Sequence, residues 1–84
     1  MPKHLKKLRI EERKLKRELA YGLYYHGERL IELEERMNAK HYLSVLTHEM
    51  LHHLFPWMSE SMVTRSAPKI AKAVWSRGYR RLSK

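Results

Sequence analysis

Three stretches of this chain alternate hydrophobic and polar residues in a readable way. The clearest is 39–55, AKHYLSVLTHEMLHHLF. Placed 100° apart, Leu43, Leu46, Met50, Leu51, Leu54 and Phe55 form one broad apolar arc, the pattern of a helix with one buried side. Asn38 can cap its start and Pro56 ends it, which predicts a helix over 38–55. His48 and His52 fall together at one edge of the arc, Glu49 lies further outward, and His53 faces away from the pair. Downstream, Met62, Val63, Ala67, Ile70, Ala71, Val74 and Trp75 recur at helical spacing after Ser59, a second capping residue. Gly78 suits the position after a helix end, so the second helix spans 59–78. Pro68 has no N–H for the Thr64 carbonyl, which predicts a kink or break there. Trp57, Trp75 and Met62 are assigned to the core.

Upstream the period changes to two. In LAYGLYYH, Leu19, Tyr21, Leu23 and Tyr25 share one face, and Ala20, Gly22, Tyr24 and His26 the other. A turn at Gly27 and a second alternating run over 29–36 complete a β-hairpin within 18–37. A helix over 28–37 is the competing reading. Residues 3–19 stay open. Leu5, Leu8, Leu15 and Leu19 keep a helical 3–4 spacing with Glu12 in the same seam, whereas Leu8 and Ile10 alternate with Arg9 and Glu11 like a strand. The expected fold is α+β: a small antiparallel sheet of two to three strands, then the 38–55 helix, then a kinked C-terminal helix.

Length and composition narrow this picture. Eighty-four residues allow one domain with a small interior. With no cysteine, neither a disulfide nor a thiolate metal site can staple it. The net charge of +9 is unevenly spread. Residues 1–17 hold eight Lys/Arg and two Glu, 18–60 hold three and seven, and 61–84 hold seven and none. A basic segment over 1–17 and a basic, exposed tail over 79–84 therefore flank an acidic middle. Lys3, Lys6, Lys7, Arg9 and Arg13 at one end, with Lys69, Lys72, Arg77, Arg80 and Arg81 at the other, suffice for non-specific phosphate binding. No base-reading motif accompanies them. No apolar run approaches the ~20 residues of a membrane span, and the basic start lacks the apolar stretch of a signal peptide. The expected setting is the cytoplasm or a virion, without a membrane partner.

Four of the six histidines fall between His41 and His53. His48-Glu49-Met50-Leu51-His52 is an HExxH motif. On a helix, residues i and i+4 are neighbours, so both imidazoles can reach one zinc ion. The intervening Glu49 then stands beside the ion, placed to take a proton from an activated water. A third ligand is required. After His53 the only candidate is Glu60, eight residues beyond His52, which an antiparallel last helix would return to the metal. His53, His41, His26 and Glu28 are reserves. Position 58, where a metzincin would place its third histidine, is Met58. Tyr24, Tyr25, His26, His41 and Tyr79 are candidate oxyanion donors. The 29–36 strand could hold an extended peptide along its edge.

The run LTHEMLHHLFPWMSESMVTRSAPKIAKAVWSRGYRRL resembles small single-domain HExxH proteins of phages and prophages, with their Ser-Glu helix start and W-x-x-G-Y-R ending. Together with AYGLYYHGERLIEL before it, the chain is similar over about residues 19–82 to the minigluzincins, compact zinc peptidase domains. The resemblance implies zinc held by His48, His52 and Glu60, Glu49 as general base, a peptide or protein substrate, and a strand near Leu8–Glu12. Two other readings stand beside it. One is a non-enzymatic basic protein binding nucleic acid or a virion component. The other is a purely structural zinc site closed by His53 or another side chain.

Overall fold

A computed structural model describes residues 7–15 and 20–82. Lys3, Leu5, Lys6, Leu19 and the rest of the basic segment at 16–17 lie outside the described residues. The described elements run in the order β1 (Arg9–Arg13), β2 (Gly22–Tyr25), a one-turn 3-10 helix (His26–Glu28), β3 (Leu30–Glu34), α1 (Ala39–Leu54) and α2 (Glu60–Ser76). This is the α+β architecture expected, with a strand at Arg9–Arg13 where helical propensity competed.

The sheet has the order β1-β3-β2. β2 and β3 form the expected antiparallel hairpin, Leu23 opposite Glu32 and Tyr24 opposite Ile31. β1 joins the far side of β3 in parallel, Ile10 opposite Ile31, so the sheet is mixed rather than antiparallel throughout. β3 is thus central and both its edges are taken. The strand expected at 29–36 to offer a free edge therefore offers none, and the edge strands are β1 and β2. The left-handed residue of the hairpin link is Arg29 (φ 50°), after the 3-10 turn that contains Gly27.

Central placement explains the β3 sequence LIELE. Ile31 and Leu33 are buried against Tyr42, Val45, Leu46 and Met50 of α1, forming the first core. On the opposite face Glu34 is buried yet satisfied. Its carboxylate accepts from Arg36 Nε (2.6 Å) and Nη2 (2.9 Å), from the Arg36 backbone (3.1 Å) and from the Leu15 backbone (2.8 Å). The Arg36 guanidinium, then the Leu15 N–H, hold its carboxyl down at about 2, from an ordinary 4.5. A depressed carboxylate contributes stability that is complete above its unfolded value and lost as pH falls towards the folded one. Acid unfolding between pH 4.5 and 2 should therefore be steeper in this protein than in Glu34→Gln, as followed by circular dichroism.

The helices start where the caps predict. Asn38 Oδ1 accepts from the His41 N–H (2.8 Å) and Ser59 Oγ from the Met62 N–H (3.1 Å). Leu51 of α1 meets Val63 and Ala67 of α2 in a second core. α2 runs unbroken through Pro68, which is exposed on its outer side. Thr64 loses one intrahelical donor there, and helical packing on both sides carries the chain across. The described part of the tail, 79–82, is exposed as expected, while its two arginines lean back on the rest of the chain. The Arg80 guanidinium stacks 3.6 Å over Trp75, and that of Arg81 lies 4.1 Å over Tyr42 and 3.6 Å from Glu12. The core assignments of Trp57 and Met62 do not hold, since both are exposed, as are Leu54 and Phe55 of the predicted apolar arc. The short α1–α2 connection turns these side chains past the end of the helix pair. No helix among the described residues is long and apolar enough to cross a membrane.

Candidate metal centre

One turn of α1 separates His48 from His52, and their ring centroids lie 5.0 Å apart. The connection 55–59 reverses the chain, with the Met58 N–H donating to the Phe55 carbonyl at 2.8 Å. Ser59 then caps α2 and sets Glu60 at its first position, against the end of α1. The Glu60 carboxylate reaches both imidazoles, Oε1 at 2.7 Å from His52 Nε2 and Oε2 at 3.3 Å from His48 Nε2. Its side chain is 68% exposed, so two helices, not burial, hold it in place. One donor atom from each of the three residues lies within 4.8 Å of the others, the only such His/Cys/Asp/Glu group among the described residues. A tetrahedral zinc site with bonds of about 2.0–2.1 Å sets its donors about 3.3 Å apart. Small side-chain rotations close that difference. Two imidazoles and one carboxylate are also a donor set that suits a divalent zinc ion. The three residues therefore fit a metal.

Glu49 departs from the outward position predicted for it. It is buried, with 8% exposure, because β2 crosses that side of α1. Burial pushes its carboxyl above the ordinary value of 4.5; His48 and His52 pull it down, and Glu60 pushes it up. An open cleft of about 600 Å³ runs between β2 and the helix pair. Gly22, Leu23, Tyr24 and His26 line one wall, with His48, Glu49, His52, Pro56 and Glu60 opposite. Gly22 makes this close approach possible. A Cβ there would lie 2.6 Å from Val45 Cγ1 and 3.1 Å from both Cγ and Oε2 of Glu49. Val45 cannot step aside, because a helical valine is held to one χ1 rotamer. Gly22→Ala should cost about 1–3 kcal/mol in denaturant unfolding, the usual effect of overpacking. It should also displace the Glu49 carboxylate.

Three of the four reserve ligands have other partners. The Tyr24 hydroxyl lies 2.8 Å from His53 Nδ1 and 3.2 Å from His26 Nδ1, so His53 is turned to the cleft wall and not to the ligand group. His41 packs edge-on against Tyr21, and neither it nor Glu28 joins the ligand group. Of the candidate oxyanion donors, Tyr24 and His26 line the cleft. Tyr25 donates to Glu32 (3.0 Å), and Tyr79 lines a separate hollow with Leu43 and Trp75. Sequence reasoning missed the close packing of Gly22 on Glu49 and the hold of His53 on Tyr24. A glycine inside a strand pattern is the one signal that pointed to the first. The chain has no match among family models, curated proteins or solved structures.

Proposed function

We propose that this chain is a zinc-dependent peptide hydrolase, with His48, His52 and Glu60 as the ligands and Glu49 as the general base. One observation carries the reading: three donors from two helices converge in a cleft that a buried glutamate also lines. Zinc supplies Lewis acidity, drawing the pKa of water towards ~7 and polarising a carbonyl. The chain's own residues do the rest. An extended peptide adds to the edge of β2 by backbone hydrogen bonds, which sets its carbonyls along the cleft. Glu49 takes a proton from the attacking water and returns it to the leaving amine as the C–N bond breaks. Tyr24, oriented by His53 and His26, offers its hydroxyl to the oxygen that gains charge. In this reading zinc also ties α2 to α1, offsetting a small core.

The purified protein should contain one zinc per chain and cleave unstructured peptides, with both properties lost in His48→Ala. Metal analysis and a peptide-cleavage assay read the two separately. Zinc without cleavage would reduce the centre to a structural one, and a wild type that takes up no zinc would remove the reading altogether.

A further inference from the structure

We propose that the corner between α1 and α2, together with the outer face of α2, docks this protein onto an anionic phospholipid surface. Four large apolar side chains project at that corner: Leu54 is 52% exposed, Phe55 37%, Trp57 78% and Met62 46%. Phe55 and Trp57 brace each other edge to face, 5.6 Å between ring centroids. Clustered exposure of this kind marks a contact surface, whereas single exposed apolar residues need no explanation.

A second observation, the charge behind the corner, says what the contact is. At 100° per residue, Met62, Arg65, Lys69 and Lys72 fall within about 80° of one another around α2, opposite the buried Val63, Ala67 and Ala71. All three cations are exposed, and no ion pair holds them among the described residues. The face therefore begins in an aromatic and aliphatic tip and continues from Arg65 to Lys72, about 10 Å, as a row of positive charge. A tip that enters the acyl boundary while cations meet anionic headgroups is the arrangement of an interfacial anchor.

Two other occupants fit less well. Single-stranded nucleic acid needs aromatic faces interleaved with cations along a groove. Here Phe55 and Trp57 stand 80° to each other at one end, and no aromatic side chain falls within the arc of Arg65, Lys69 and Lys72 on α2. A second copy of the chain would bring two like-charged rows together on a molecule of net charge +9. The expectation of no membrane partner rested on the absence of a spanning segment, and surface docking needs none. The inference is independent of the metal reading.

The test uses the full chain with vesicles of phosphatidylcholine containing about one-third phosphatidylglycerol, and with pure phosphatidylcholine as control. Co-sedimentation should occur with the acidic vesicles, weaken with salt, and shift tryptophan emission to the blue. Trp57→Phe should remove most of that shift, which identifies the reporting ring. Arg65→Gln/Lys69→Gln/Lys72→Gln should weaken binding about a hundredfold, at about fivefold per cation. Trp57→Ala should weaken it about tenfold with an unchanged far-UV spectrum, since binding scales with the apolar area inserted. Equal binding to both vesicles, no binding to either, binding of a single-stranded oligonucleotide in place of vesicles, or a Trp57-dependent dimer that ignores vesicles would each overturn the proposal.

Discussion

Glu49→Gln is expected to lower kcat for peptide cleavage by about 10²–10⁴-fold, the usual contribution of a positioned general base, while fold and zinc content persist. The amide has the shape of the carboxylate and cannot accept the proton of the attacking water. It touches none of the three ligand atoms, so metal analysis should still return one zinc per chain. KM should change little, because the loss falls on a step after the peptide binds. Stability should move the other way. Glu49 is 8% exposed and burial disfavours its charge, so removing that charge should leave the unfolding midpoint unchanged or higher. Activity falling while stability holds or rises is a pattern that damage to the fold cannot imitate. Turnover retained in Glu49→Gln would exclude the residue as base.

The elements that the amino-acid order makes legible are those decided locally. Asn38 and Ser59 mark helix starts through hydrogen bonds three residues long, Pro56 ends α1 by lacking an N–H and restricting Phe55, and His48 with His52 follows from one helical turn. Glu60 was reachable because only one carboxylate follows the motif. What local pattern could not reveal depends on which element lies over which. β1 is exposed along most of its length, so RIEER carries little hydrophobic alternation, and its parallel register is set by β3. It is held there by tertiary contacts: Arg13 gives two 2.9 Å hydrogen bonds to Glu32, and Tyr42 donates to Glu12. Glu49 looks solvent-facing on a helical wheel and is buried only because β2, through Gly22, crosses that side. Leu54, Phe55 and Met62 read as core by helical spacing and Trp57 by residue type, yet all four are exposed where the chain leaves one helix for the next.

Removing zinc should lower the melting temperature by roughly 10–20 °C, and His52→Ala should abolish that difference. A ligand that binds only the folded state stabilises it by about 2.7 kcal/mol at a hundred times its Kd. In a chain of this size, 1 kcal/mol moves the midpoint by roughly 4–8 °C. The geometry concentrates the effect on the joint between helices. Glu60 closes on both imidazoles from the first turn of α2, and that turn is otherwise exposed but for Val63. The carboxylate is 68% exposed, and its own solvent-screened contacts with the imidazoles contribute little. The ion would replace them with three short bonds across the helix pair, so the second core of Leu51, Val63 and Ala67 opens less often. Alanine at position 52 also removes packing, so the relevant quantity is the shift on chelation within each variant, not the absolute midpoint. That shift should vanish in His52→Ala, shrink in Glu60→Gln and stay whole in Glu49→Gln. A chelator that leaves the wild-type midpoint unmoved, at protein concentrations where one zinc per chain has been measured, would mean that the ion does not bridge α1 to α2.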